Sequence, residues 1–302
     1  MLRSDLARPS ARPLEPGMPS RTTIVTVCYN STAVLPQMLD SVPPSVPVVL
    51  VDNGSADVDD LKKLAQRAGA ALVSLPENLG FGTGCNRGAA VARTPFILFL
   101  NPDTVLSQGC IDALETAADT YPDASAFNPR LLDRKGKVIL RRRTRLNPEF
   151  VLQGPVPDTP AEIPTLLGAA IFLRRDIYDR IDGFDENIFL YHEDDDLSLR
   201  LRGLGPLMTI PQAVVTHSEG RSTARTGAVA AFKAYHLARS KVYAYTKHGR
   251  PRPFLRTLLE GVSGLFSPLM LIPRKRAKAV GFLKGAWSAR NDKGRGRGTL
   301  DN

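Results

Sequence analysis

Cysteine is scarce in this chain. Its 302 residues include Cys28, Cys85 and Cys110, with no Cys-x-x-Cys arrangement among them. So sparse and odd a set excludes a disulfide framework and a thiolate zinc site, leaving small buried hydrophobes in a reducing compartment. Long apolar runs are missing too. The best candidate, residues 254–272, is interrupted by Arg256, Glu260, two glycines and Pro268, short of the roughly 20 apolar residues that cross a bilayer. Residues 1–20 carry arginines and prolines but no apolar h-region, which excludes a secretory signal there. They read, with residue 21, as a disordered leader. Residues 291–302 read as a disordered end.

Charge is not balanced. A net charge of +10 and a pI near 9.7 point to polyanionic company: phosphorylated substrates, an anionic membrane surface or nucleic acid. No helix-turn-helix, zinc or aromatic stacking motif supports nucleic acid.

From Thr22 the chain alternates short β-branched runs with helical patterns, the signature of an α/β sheet with crossovers. The pattern predicts strands over 23–28, 46–51, 71–75, 96–100 and near 124–128. Helices are predicted over 32–42, 61–68, 81–92, 110–121 and 193–204, with a long one beyond Ala228. Residues 131–145 read as a basic hairpin turning at Asp133–Gly136, and 147–164 as proline-rich loop. The boundaries expected are a main domain over 22–247 and a helical tail over 248–302.

Open α/β sheets place ligands at the C-terminal ends of strands. Three ends finish in polar groups here: Tyr29-Asn30, Asp52-Asn53-Gly54-Ser55 and Asn101-Pro102-Asp103. Asp52 suits a nucleobase or ribose, although Asp-Asn-Gly-Ser also forms an Asx-turn. Asp103 suits Mg²⁺ or Mn²⁺, which share oxygen donors with substrate phosphates; helix capping is its alternative. The glycines of residues 80–84 match neither a dinucleotide fingerprint nor a Walker loop. They mark a helix entrance where backbone approaches something closely. Glu193-Asp194-Asp195-Asp196 is the densest signal. Four successive carboxylates repel unless cations or a task offset them. They read as a general base beside an acceptor hydroxyl or as a solvated helix start favoured by the macrodipole. His192-Glu193 lacks the second His of a zinc-protease helix, because Asp196 stands there. His217 ends an apolar strand, either as a structural residue or as an imidazole ligand.

The order of these segments is informative. Val25–Asn30, Val48–Ser55, Asn78–Phe81 with Asn86, Leu100–Thr104, Gly168–Ala170 and Gly183–Glu186 with Glu193–Asp196 follow one another. That succession resembles the family 2 glycosyltransferases, especially their bacterial rhamnosyltransferase-like branch. The resemblance implies a GT-A fold: an α/β, Rossmann-like nucleotide-binding sheet with helices on both faces. It implies an inverting transfer from a nucleotide diphosphate sugar to an acceptor hydroxyl, in cell-surface polysaccharide or glycolipid synthesis. Rhamnose would be the sugar, and a saccharide or lipid-linked saccharide the acceptor. Asp52 would contact the nucleobase, with Asn30, Asn78, Gly80, Asn86 and Asn101 completing the nucleotide site. Asp103 and His217 would hold Mg²⁺ or Mn²⁺, with Asn101 in place of the first aspartate of the family's Asp-x-Asp motif. Asp194 would be the base, with Glu193 or Asp195 as alternatives. Gly168, Ala169, Ala170 and Asp195 would line the acceptor side. A sugar-nucleotide binder that has lost catalysis is the competing reading.

Two basic regions complete the pattern. Arg130, Arg134, Lys135, Lys137, Arg141, Arg142, Arg143 and Arg145 suit a phosphorylated acceptor, an anionic bilayer, or a solvated edge strand. The tail alternates apolar runs with Arg274, Lys275, Arg276, Lys278 and Lys284. It suits amphipathic helices on an anionic membrane or helices packed on the domain. The expected location is the cytoplasm, peripheral to the inner membrane.

Overall fold

The computed structural model describes residues 20–218, 226–266 and 268–291. Apart from residues 20, 21 and 291, the expected leader and disordered end lie outside the described residues. The first half runs β1 (Thr22–Cys28), α1 (Leu35–Asp40), β2 (Val48–Asn53), α2 (Val58–Ala68), β3 (Ala71–Leu75), α3 (Phe81–Val91), β4 (Phe96–Leu100) and β5 (Thr104–Leu106). Next come α4 (Cys110–Thr120), β6 (Ala126–Leu132), β7 (Val138–Ile139), β8 (Ala161–Glu162), β9 (Ala170–Arg174), α5 (Arg175–Arg180), α6 (Glu193–Arg202) and β10 (Leu207–His217). Three helices follow: α7 (Gly227–Lys247), α8 (Pro253–Leu265) and α9 (Pro273–Ser288).

The strands form one sheet in the order β3-β2-β1-β4-β9-β6-β10-β5, with β7 on β6 and β8 on β10. β1 to β4 pair in parallel, and β9 runs antiparallel between β4 and β6. Period-2 alternation in the central strands divides the interior. Ile24, Leu50, Leu98 and Leu100 pack on one face with Leu61 of α2 and Leu114 of α4. Val25, Val51, Ile97 and Phe99 pack on the other with Cys85 of α3 and Leu197 of α6. All three cysteines are free and buried.

Several boundaries differ from expectation. α1 begins at Leu35 because Pro36 is tolerated only in a first turn. β6 continues to Leu132, held by β10 across a register shift between Ile210 and Val214. Pro211 lies in that shift, where its missing N–H interrupts no regular ladder. β5 and α5 were not legible as periodic segments. The basic excursion does form a hairpin, β6 with β7, turned at Asp133.

Glycine explains how close α3 comes. A Cβ on Gly88 would lie 2.3 Å from Val25 Cγ1, and one on Gly84 2.8 Å from Val27 Cγ1. At the other end of the chain, a Cβ on Gly281 or Gly285 would collide with the α7 carbonyls of Ala231 and Tyr235. α9 is therefore a packing helix, seated on α7 through small residues.

Candidate active site

The carboxyl edge of the sheet gathers the polar strand ends, and its first half is tied together locally. Asn30 carries φ +50°, its side-chain oxygen accepts the Ala56 N–H at 2.8 Å, and its own N–H donates to the Ser55 hydroxyl oxygen at 3.1 Å. Asp52 is buried, and its Oδ1 accepts the Ser55 N–H at 2.9 Å. This is the Asx-turn, and it fixes the carboxylate at the edge with Oδ2 outside the turn. Asn53, which the sequence did not single out, accepts the Leu79 N–H at 2.9 Å and donates to Asn78 Oδ1 at 3.0 Å and to the Gly80 carbonyl. The 78–80 loop thus hangs on β2. Gly80, at φ +93°, admits the Phe189 carbonyl, which a Cβ would meet at 2.4 Å. The close approach expected at the glycines is made by protein. Asn86 spends both amide ends on Tyr178, Phe184 and Glu186, pinning the 183–186 turn.

At the end of β4 the Asn101 N–H donates to the Ala169 carbonyl at 3.0 Å. Leu100 pairs with Ala170 across the antiparallel ladder. Asn128 of β6, also unforeseen, accepts the Leu167 N–H at 2.7 Å and donates to the Ala170 carbonyl, holding residues 167–170 in place. Two residues past Asn101, Asp103 is buried and its Oδ1 lies 3.1 Å from His217 Nε2. β5 and β10 create this pair, because His217 registers opposite Thr104.

The acidic run opens α6 after two non-glycine residues in left-handed conformation, Tyr191 (φ +68°) and His192 (φ +65°). Strain of this kind persists only where the surroundings hold it. The carboxylates of Asp194, Asp195 and Asp196 are buried, not solvated. Asp196, fully buried, is ringed by Arg200 at 2.8 Å, Lys247 at 2.7 Å and His248 at 2.8 Å. Burial works to raise its carboxyl, but the His248 hydrogen bond and the Arg200 and Lys247 cations hold it at about 2. Asp195 faces His192 and Arg141 and accepts from Thr144 and Thr165. Against burial, these partners hold it at about 2 as well.

Asp194 differs. Its Oδ2 meets Arg141 at 3.1 Å and the Gly168 N–H at 3.3 Å, and its Oδ1 accepts the Asp195 N–H at 2.9 Å. Those three donors leave about one of four lone-pair positions open on the carboxylate. Burial raises its carboxyl, Arg141 counters, and the balance stays above the ordinary range. Glu193 is pushed up to about 8 by burial and by the Asp194 charge, and its Oε2 is enclosed without a hydrogen-bond partner. Gly168 therefore connects the Asp194 station to Ala169, Asn101 and the end of β4, all on one edge.

Four of the eight residues of the basic stretch are engaged by partners within the protein. Arg130 pairs with Asp158, Arg141 with Asp194 and Asp195, and Arg145 with Glu260, while Arg142 donates to the Gly154 carbonyl. The carboxylate partners of Arg141 were not foreseen from sequence, since nothing local to it marks them.

Comparison with known proteins identifies the family and the fold. The family model for glycosyl transferase family 2 matches residues 23–182. An N-acetylglucosaminyl-diphospho-decaprenol L-rhamnosyltransferase of Mycobacterium tuberculosis is 31% identical, over 87% of this chain and 97% of that protein. Among solved structures, GalNAc-T7 with UDP, GalNAc and Mn²⁺ superposes with a TM-score of 0.58 at 12% identity, covering 88% of this chain and 55% of that one. Mannosyltransferase PcManGT from Pyrobaculum calidifontis, with GDP-Man and Mn²⁺, gives 0.53 at 18% identity, covering 91% and 75%. The chain belongs to glycosyl transferase family 2 and has the GT-A architecture of a nucleotide-sugar-dependent glycosyltransferase.

Proposed function

We propose that the enzyme inverts the anomeric centre of a nucleotide diphosphate sugar, by analogy with its relative a rhamnosyl donor, onto a hydroxyl of a polyprenyl-diphosphate-linked saccharide. It would work peripherally at the cytoplasmic face of the inner membrane, in cell-surface polysaccharide synthesis. The observation that carries the reading is the environment of Asp194: buried, raised in pKa, and held by Arg141 and by the N–H of Gly168, whose neighbour Ala169 accepts from the Asn101 N–H.

Asp194 takes the proton of the acceptor hydroxyl as that oxygen bonds to the anomeric carbon and the bond to the diphosphate oxygen breaks. A raised carboxyl is a stronger base, and Arg141 opposes the rise, favouring the charged form. Glu193, at about 8, holds its own proton at neutral pH and is poorly suited to the task. Asp195 is engaged by His192, Arg141 and two threonines; its part is to set the acceptor wall with Gly168, Ala169 and Ala170. Asn30, Asp52, Asn78, Gly80 and Asn101 line the donor side, and Asn86 holds the turn behind them.

Asp103 and His217 fit a divalent cation: a buried carboxylate and an imidazole already 3.1 Å apart. Among the described residues no three His, Cys, Asp or Glu side chains gather to hold a metal. Mg²⁺ or Mn²⁺ on this pair would draw further oxygens from the diphosphate and water. Such a cation supplies Lewis-acid stabilisation of charge on the leaving diphosphate.

A donor panel with Mn²⁺ or Mg²⁺, run on wild type and Asp194→Asn, tests the reading. Transfer from one nucleotide sugar should appear in wild type and fall by about 10²–10⁴-fold in the variant, with donor affinity by calorimetry unchanged. Near wild-type transfer by Asp194→Asn would sink the base assignment.

A further inference from the structure

α8 has two apolar faces, and only one of them is packed. Thr257 and Gly261 turn inward, and a Cβ on Gly261 would lie 2.6 Å from Leu283 Cδ2 of α9. Leu255, Leu259, Val262 and Phe266 follow at i, i+4, i+7 and i+11, one continuous stripe. All four are exposed, Phe266 at 83%. The stripe continues past the helix into Leu271, 88% exposed, and Ile272. A helix whose sole task was to cover α9 would carry polar residues there, and contiguous exposed apolar surface marks an interaction site.

Charge identifies the partner. Residues 248–291 contain nine arginines and lysines against one acidic residue, Glu260. Glu260 is already paired with Arg145 and Lys241. Arg274, Lys275 and Arg276 occupy the first turn of α9 and are exposed. Cations at a helix N-terminus oppose the macrodipole, so helix stability does not account for them. They directly follow Leu271 and Ile272, as a basic rim beside an apolar stripe. That pairing matches the interface of an anionic bilayer, with apolar side chains at the acyl boundary and basic ones at the headgroups.

We infer that α8 with Phe266, Leu271 and Ile272 and the first turn of α9 form the membrane-docking face, with an anionic lipid bilayer as occupant. The inference rests on the peripheral-membrane reading above and names the surface responsible. Among the described residues no helix is long and apolar enough to cross a membrane, so the contact is interfacial. Packing of α9 on α7 through Gly281 and Gly285 makes the face a rigid part of the enzyme.

Deletion after Lys247 would strip α7 of its cover, so point substitutions on the exposed stripe are the sharper test. The full chain is sedimented with phosphatidylglycerol vesicles and with neutral phosphatidylcholine vesicles. Wild type should bind the anionic vesicles, and both Leu259→Asp/Phe266→Asp/Leu271→Asp and Arg274→Glu/Lys275→Glu/Arg276→Glu should lose about tenfold or more in affinity. Both variants should retain the wild-type melting temperature and transfer to a water-soluble acceptor. Wild type failing to bind would overturn the peripheral reading and this face with it. Equal binding by wild type and both variants would overturn the face alone. Wild type eluting as a dimer that the stripe variant breaks, without vesicle binding, would assign the stripe to a second copy instead.

Discussion

The donor side and the acidic start of α6 are both polar and pre-organised, but by different means. Around Asn30, Asp52, Asn53 and Asn78 the partners lie within about one β-α-β unit of each other and are neutral groups: Ser55, Leu79 and Gly80. Around Asp194, Asp195 and Asp196, Arg200 and His192 come from nearby in sequence, but Arg141, Lys247 and His248 arrive from remote segments, two of them as cations. Local neutral hydrogen bonds shape a binding loop at small cost. Buried carboxylates require cations brought by the tertiary fold, because an unpaired charge in the interior is expensive. Neighbours on one helix therefore separate into roles, with Asp196 enclosed by cations and Asp194 left with room to accept.

The contrast can be broken by substitution. The largest effect is expected at Asp196→Asn, which leaves Arg200 and Lys247 facing a neutral amide; urea unfolding should show about 3–5 kcal/mol lost at neutral pH. Because the folded carboxyl is held at about 2 against an unfolded value of ~4, about 2–3 kcal/mol of the wild-type advantage should depend on pH, full above ~4 and lost as pH falls through about 2. An unchanged unfolding midpoint would mean that the cations around Asp196 contribute nothing. Next comes Arg141→Gln, which removes the counter-charge from Asp194. Its carboxyl should climb further, moving the acid limb of the kcat/KM profile to higher pH. Arg141→Lys should restore part of that shift, and a profile that merely drops without shifting would assign Arg141 a purely structural role. The smallest effect belongs to the donor side. Asn53→Ala should cost about 1–2 kcal/mol and raise the donor KM with kcat held. A loss confined to kcat would place Asn53 elsewhere in the reaction.

Much of the fold was legible because strand alternation is a local signal. The strands ending at Cys28, Leu75 and Leu100 could be bounded from sequence, and so could the α6 start. β5 was not legible: three residues after a proline carry no period, and the strand exists because β10 pairs with it. The long α7 could be read, but its work could not. Its Lys247 and the following His248 close over Asp196, and nothing near them in sequence announces a carboxylate partner. The tail offered two readings; α9 packs on α7, and α8 leaves an apolar stripe uncovered.

By itself the sequence determined the alternating α/β plan, the polar strand ends and a run of four carboxylates at one helix start. Each follows from periodicity or from residue type within a few positions. Only the tertiary structure decided which carboxylate is neutralised, which keeps an open lone pair, and that Asp103 finds His217. Those outcomes depend on charge and burial contributed across more than fifty residues of chain, and desolvation has no local signature.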